Sequence, residues 1–381
     1  MKTDEMIKAE RDENFQPLFV RLRERIKRGG QISFYDWMNA ALYEAPDGYY
    51  IRSDKARWGK MGDYRTAPEI SPLFAATFAH YFARLYADLD HPREFFIIEA
   101  GAGAGHFAYG VLQTLQEQFS NVYSASRYLI DETSETSRRQ AKKLLEPFGE
   151  KVSFHRLSEI KEPFPNAVIY SNELLDAFPA HRVVMRNGEL KEFFVGLDQD
   201  DRFVLSELNL STSCIDDYVE KNKINISEGQ IIEVNLAAED WLKLAARVIE
   251  RGFVITVDYG GESVELYDAV RRPNGTLRAF SAHRFVDDWL SHPGEVDLTT
   301  TVNWTFLKRI GEESKLQTIS LEPLDKFLLR VGILDQLERN TKKTKSEAEK
   351  IQLRSSAREL ILPTGLGETH HVLVQKKETK R

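Results

Sequence analysis

Phe95-Phe-Ile-Ile-Glu-Ala-Gly-Ala-Gly-Ala-Gly105 is the stretch whose reading decides the fold. An apolar run closes in an acid, three alternating glycines follow, and His106 to Phe119 then reads as a helix. The order is strand, tight loop, helix. Glycine lets a chain bend sharply and lets its backbone approach a ligand, because no Cβ intervenes. The first turn of a helix brings N–H donors without intrahelical partners to the same point. In an open α/β sheet, ligands bind there, beyond the carboxyl end of a strand.

The spacing narrows the choice of ligand. A dinucleotide fingerprint needs G-x-G-x-x-G and an acid about 20 residues later. Here the third glycine comes one position early, and the next acids at a strand end, Asp131 and Glu132, are too distant, Glu132 lying 31 residues after Gly101. A phosphate loop needs a Gly-Lys-Ser/Thr ending, which this one lacks. What remains is the pattern of a class I S-adenosylmethionine (SAM) methyltransferase. Its glycine loop cradles the amino-acid end of SAM, and the acid closing the second strand accepts hydrogen bonds from the ribose hydroxyls. A packing turn with no ligand is the competing reading.

Composition sets outer bounds. The chain has 381 residues, 42% hydrophobic and 29% charged, the balance of a globular protein large enough for one big domain with additions, or for two. A net charge of −7 argues against bulk affinity for nucleic acid. The single cysteine, Cys214, excludes a disulfide framework and a thiolate metal site. Met1 to Gln16 is charged and mixed in sign, without the apolar core of a signal peptide and with acids that do not suit a transit peptide. No apolar run reaches the roughly 18 residues of a membrane span. These features predict a cytoplasmic protein without a metal, of undetermined oligomeric state.

Outward from the loop, helices are expected over 13–28, 34–43 and 72–89, the last with Ser71 as cap and Pro72 in the first turn. Between them, 52–71 is basic and irregular, closing in Gly62-Asp-Tyr-Arg-Thr-Ala-Pro-Glu-Ile-Ser71. This segment reads either as a helix entry or as a lid with Thr66 and Glu69 facing ligand, since long ordered loops are uncommon without a function. After the first strand, 126–131, 152–155 and 167–170 read as strands two to four, with a helix over 134–145. Asn187-Gly188 marks a hairpin between 180–185 and 189–196 that interrupts the α/β alternation. Residues 198–230 are polar and poorly periodic, 236–249 is helical, and 253–257 is a fifth buried strand. Further strands are expected at 276–280, 298–302 and 371–375, and a charged, solvated helix at 341–358. The expected fold is α/β, a class I methyltransferase (Rossmann-like) sheet with helices on both faces, an N-terminal helical extension and an inserted or appended α+β lobe. The expected segments are 1–90 as extension and lid, 91–180 as the first half of the SAM-binding core, 181–235 as the lobe, and 236–381 as the second half with appended helices.

Methyl transfer is an in-line displacement at a carbon on a sulfonium. Alignment of nucleophile and methyl supplies much of the catalysis, about 7–11 kcal/mol at best. The acceptor side therefore belongs at the carboxyl end of the sheet beside the glycine loop. Asn172-Glu-Leu-Leu-Asp176, after strand four, is the first candidate, and Asp258-Tyr-Gly260, after strand five, is the second. A helix cap at Asn172 with a first-turn acid at Glu173, stopped by Pro179, explains the first as well, and a plain strand exit explains the second. The signature of amide and base amino-methyltransferases, N/D-P-P-Y/F, is absent. The histidines, including the His370-His371 pair, show no metal spacing with acids and read as structural or solvated.

Glu99-Ala-Gly-Ala-Gly-Ala-Gly105, Gly62 to Ser71 and Asn172-Glu-Leu-Leu-Asp-Ala-Phe-Pro179 together resemble the MidA-like SAM-dependent methyltransferases. Asp258-Tyr-Gly260, Gly275-Thr-Leu277 and His292-Pro-Gly294 with Asp297 and Thr299 also fit, so that the resemblance runs from about Gln31 to Val374. It implies SAM as cofactor, held by Glu99, Gly101, Gly103, Gly105, Glu132, Thr133, Thr66 and Pro68, with Glu132 rather than Asp131 as ribose ligand. It implies protein-arginine methylation, since mitochondrial relatives act on a respiratory complex I subunit during assembly, and hence a protein partner of the respiratory-chain kind. Catalytic roles fall to Glu173 as guanidinium anchor, with Asn172, and to Asp176 in support; Glu69 and Asp258 are the expected substrate-side acids. The family loop usually reads glycine–proline–glycine–arginine–glycine. This chain has Ala102, Ala104 and then His106-Phe107 instead, so no role passes to a loop arginine. A SAM-binding assembly factor with little turnover and a small-molecule methyltransferase of the same fold are the alternative functions.

Overall fold

The computed structural model describes residues 17–53, 71–281, 284–362 and 366–378. Thr66, Pro68 and Glu69, and the start of the helix expected from residue 13, lie outside the described residues. The chain forms two compact units. One is drawn from Ala56–Ala177, Ala237–Leu266 and Thr301–Arg381, the other from Met1–Lys55, Phe178–Leu236 and Tyr267–Thr300. The division differs from the expected segments, because 267–300 and the start of the first segment join the third in the second unit, while helix Pro72–Asp88 of the first segment belongs to the first unit.

The first unit is built on a sheet of eight strands: β1 (Phe95–Ala100), β2 (Ser126–Asp131), β3 (Val152–Phe154), β4 (Ala167–Asn172), β5 (Gly252–Gly261), β6 (Val302–Asn303), β7 (Gln317–Pro323) and β8 (His370–Lys377). Their order across the sheet is 7-8-5-4-1-2-3, with β6 beside the end of β5. β3, β2, β1, β4 and β5 run parallel, and β8 is antiparallel to both β5 and β7. Parallel strands covered on both faces need near-continuous apolar sequence, which Phe95–Ile98 and Phe253–Val257 supply. On one face Ile97, Tyr128, Ile130, Val168, Tyr170 and Ile255 join a core with the helices Pro72–Asp88 and His106–Gln118. On the other face Ile98, Ile169, Val254 and Leu373 are equally buried. Helix Pro72–Asp88 starts as its sequence dictates, with the Ser71 hydroxyl accepting from the Leu73 N–H at 3.2 Å. Phe107, in the first turn of the second helix, stacks on Tyr170 with ring centroids 4.2 Å apart.

The second unit holds a five-stranded antiparallel sheet containing His181–Arg186, Glu189–Leu197, Phe203–Leu208 and Ile231–Val234, with Ile32–Ser33 on one edge. Asn187 and Gly188 both take positive φ, 53° and 78°, as a two-residue hairpin turn requires. The strands expected at 276–280 and 298–302 are found as Arg278–Ser281 and Asp297–Thr299, and they pair with each other in a small separate sheet of this unit.

Three segments differ from their sequence reading. Residues 198–230 contain the strand Phe203–Leu208 and the helix Cys214–Lys221. The strand is hard to see because Val204, Leu205 and Leu208 are exposed, which leaves no two-residue burial pattern. The charged stretch 341–358 is two helices, Ile333–Lys343 and Glu347–Ile361, and the second buries Ser356, Ala357 and Leu360 rather than standing in solvent. β7, which carries no strand signal in its sequence, is partly exposed along its length, with Ile319 half in solvent.

Candidate active site

The site elements all belong to the first unit. β1 ends at Ala100, and the Gly101 N–H donates to the carbonyl of Asp131 at 2.8 Å, so the loop leaves the sheet beside the tip of β2. Gly101, Gly103 and Gly105 have φ of 72°, 54° and 84°, the left-handed region that residues with a Cβ avoid. Close approach adds to this at two of them. A Cβ on Gly101 would lie 2.9 Å from Leu174 Cδ1, and one on Gly105 would lie 3.0 Å from the Ala141 methyl. The helix that follows, His106–Gln118, has no side-chain cap and no acid in its first turn.

Glu132 reaches this loop. Its Oε2 accepts from the Gly103 N–H at 2.8 Å, and its Oε1 accepts from the Ser134 N–H at 2.7 Å. Glu99, grouped with the donor ligands from sequence, lies 4% exposed and accepts from the Tyr128 hydroxyl at 2.7 Å. Burial pushes its carboxyl up to about 8, with Tyr128 opposing and the charge of Glu132 adding to the rise. Thr133 is exposed, and its hydroxyl accepts from Arg156 at 2.7 Å. The same Arg156 nitrogen lies 3.2 Å from Asp131 Oδ1.

The acid cluster forms where β4 and β5 end. Glu173 has φ of 48°, rare for a residue with a Cβ and a form of strain that concentrates at functional sites. The strained residue is pinned from two sides. Its N–H donates to the Val257 carbonyl at 2.9 Å, and its Oε1 accepts from Asn172 Nδ2 at 3.0 Å. Asp176 is buried and accepts from the Tyr259 hydroxyl. Burial raises its carboxyl to about 7, with Tyr259 opposing and Glu173 adding.

Asp258 requires a correction. It was expected to face substrate, but it is fully buried, and its carboxylate accepts from the main-chain N–H groups of Leu175 at 3.1 Å, Asp176 at 3.4 Å and Tyr259 at 2.9 Å. It braces the turn from beneath. Burial pushes its pKa well above the usual carboxylate range, and the charges of Asp176 and Glu173 push the same way.

His370, which the sequence marks only as structural or solvated, completes the cluster. β8 is antiparallel to its neighbour, so its first residue sits at the carboxyl end of the parallel strands, paired with Tyr259. His370 is buried, meets the Tyr259 ring edge-on at 5.3 Å, and places Nε2 3.9 Å from Glu173 Oε1. The available signal was the position of the His370-His371 pair at the head of an apolar run. Tyr259, within the Asp258-Tyr-Gly260 motif, and Arg156 carry no sequence signal of their own that marks a role. Among the described residues, no group of three or more His, Cys, Asp or Glu is arranged to hold a metal ion.

A family model of S-adenosyl-L-methionine-dependent methyltransferases matches residues 77–321. The mouse protein arginine methyltransferase NDUFAF7, mitochondrial, is 25% identical over 387 residues, covering 93% of this chain and 83% of the relative. Its Drosophila melanogaster homolog is 26% identical, covering 77% and 70%. Among solved structures, a superfamily member from Burkholderia thailandensis bound to S-adenosyl-homocysteine superposes with a TM-score of 0.83 at 26% identity, covering 96% of this chain and 92% of its own. A second Burkholderia thailandensis structure of the same superfamily gives 0.80 at 27%. These matches overturn the cytoplasmic expectation, because the relatives from fly, mouse and Caenorhabditis elegans are all named as mitochondrial.

Proposed function

The chain belongs to a family of S-adenosyl-L-methionine-dependent methyltransferases, and from that premise we propose that it methylates arginine side chains of a protein. It is an enzyme, and SAM is its methyl donor. In this reading Gly101, Gly103 and Gly105 line the donor, the uncapped start of helix His106–Gln118 receives its carboxylate, and Glu132 takes the ribose hydroxyls. The fit rests on left-handed glycines backed by Leu174 and Ala141, and on an acid held at the loop by two main-chain N–H groups. When bound, the donor supplies an electrophilic methyl on a sulfonium.

The single observation that carries the arginine reading is the contact between the two halves of the site. Leu174, the residue after Glu173, packs on Gly101, so the acid cluster stands against the donor loop. Glu173, with Asp176 behind it, suits a cation, since a guanidinium stays protonated and matches carboxylates with its planar fork. Glu173 holds that fork, Asn172 fixes its carboxylate by donating from Nδ2, and His370 stands beside it with Nε2 3.9 Å from Oε1. The charge of Glu173 also draws density to the nitrogen that attacks, and the proton released on methylation leaves through this acidic wall. The relatives named protein arginine methyltransferases support the same acceptor, and a respiratory-chain subunit is the protein that the family resemblance implies.

The test uses purified chain, methyl-labelled SAM and an extract from cells lacking the enzyme, followed by acid hydrolysis and amino-acid analysis. Label is expected in methylarginine. Label confined to small molecules rejects the arginine reading, and a partner that binds without taking label favours an assembly role.

A further inference from the structure

The residues on either side of Glu132 are tied to one guanidinium. The turn carrying Glu132 lies between β2 and the helix Glu135–Leu145 and has no ladder hydrogen bonds of its own. One Arg156 nitrogen spans it, 3.2 Å from Asp131 Oδ1 and 2.7 Å from Thr133 Oγ1. Arg156 is set in place by the sheet, because the preceding His155 N–H donates to the Ile130 carbonyl at 3.1 Å and holds the tip of β3 against β2. Asp131 is largely withdrawn from solvent, with 15% of its side chain exposed. Its surroundings include Arg138, Glu159 and the Leu157 main chain, and Arg156 is the cation that most offsets its burial.

We propose that Arg156 is a positioning residue for the ribose end of the donor, clamping the turn on both sides of Glu132 so that its carboxylate stays aimed at the hydroxyls. This deepens the donor-site reading and rests on Glu132 as ribose ligand. Without the guanidinium, Asp131 becomes a buried carboxylate short of its main counter-charge, and Thr133 loses its anchor. Glu132 then keeps its acceptor oxygens but loses its fixed direction. The missing loop arginine is not involved, since Arg156 acts from the segment that follows β3, through Asp131 and Thr133.

Calorimetry with S-adenosyl-homocysteine and with 5′-methylthioadenosine, which lacks the amino-acid end, tests this on the whole chain. Arg156→Met is expected to weaken both ligands by about tenfold, with Arg156→Lys recovering part of the loss. Thr133→Val, which spares the Asp131 pair, is expected to show a smaller loss in the same direction and guards against a misfolded Arg156→Met. The decisive comparison is a double-mutant cycle with Glu132→Ala. If Arg156 acts through Glu132, the double variant binds no more weakly than Glu132→Ala alone, whereas a merely structural arginine gives additive losses. Additive losses, or wild-type affinity in Arg156→Met, overturn the proposal while leaving Glu132 in place. Wild-type affinity in Glu132→Ala overturns the ribose assignment and the proposal with it.

Discussion

The glycine loop and the acid cluster stand side by side at one end of the sheet, yet they are assembled on opposite plans. The loop is a continuous run of five residues whose chemistry is main-chain: left-handed glycines, N–H groups and a helix start. The cluster gathers side chains from three strand ends, with Glu173 and His370 nearly 200 residues apart in sequence. A main-chain site accepts few substitutions at its bends and many between them, which is why Ala102 and Ala104 replace the family's usual residues without closing the loop. A side-chain site depends on who faces whom across the sheet.

The largest expected effect sharpens this contrast. Glu173→Gln is predicted to lower turnover by about a hundredfold or more while leaving SAM affinity unchanged, because the amide keeps the shape and loses the charge. Single-turnover kinetics paired with calorimetry read both quantities. A parallel fall in SAM affinity would merge the two regions into one. Next comes Gly101→Val, which forces a β-branched residue to positive φ and drives its Cβ toward Leu174. SAM affinity is expected to fall by roughly tenfold to a hundredfold. Since Leu174 adjoins Glu173, some loss of turnover at saturating SAM is expected too, and its size measures the coupling between loop and cluster.

The smallest effect concerns pH. Glu99 and Asp176 are acids whose folded pKa values lie above their ordinary ones, at about 8 and about 7 against 4.5 and 3.8. Between the ordinary and the raised value, the folded chain holds a proton that the unfolded chain has released, so stability falls as pH rises through that window. Thermal midpoints are therefore expected to drop by several degrees between pH 5 and pH 8. Glu99→Gln should flatten the upper part of that decline and Asp176→Asn the part below about 7. A slope unchanged by either variant would mean that both acids are ionised inside the folded chain.

How far the sequence could be read follows the same division. The loop was legible because glycine spacing, a flanking apolar run and Glu132 are local signals, and the Asn187-Gly188 hairpin was legible for the same reason. Exposed edge strands were not. Phe203–Leu208 and β7 owe their extended form to a paired neighbour rather than to their own burial pattern. His370 escaped because its meaning depends on strand direction, which only the pairing of β8 with β5 reveals. Asp258 misled in the opposite way. An acid at a strand tip looks like a ligand whether it points outward or, as here, folds back onto three main-chain N–H groups.

The placement of β8 between β5 and β7 bears on how the chain is made. During synthesis every other strand of the sheet emerges from the ribosome before residues 370–377, leaving the flank of β5 and the inner side of β7 without their partner. Open strand flanks of this kind recruit other chains, so the newborn enzyme passes through a sticky interval that ends only when its last strand slots home. His370 arrives with that strand, so the nascent protein gains its complete acid cluster and loses its exposed flank in the same event.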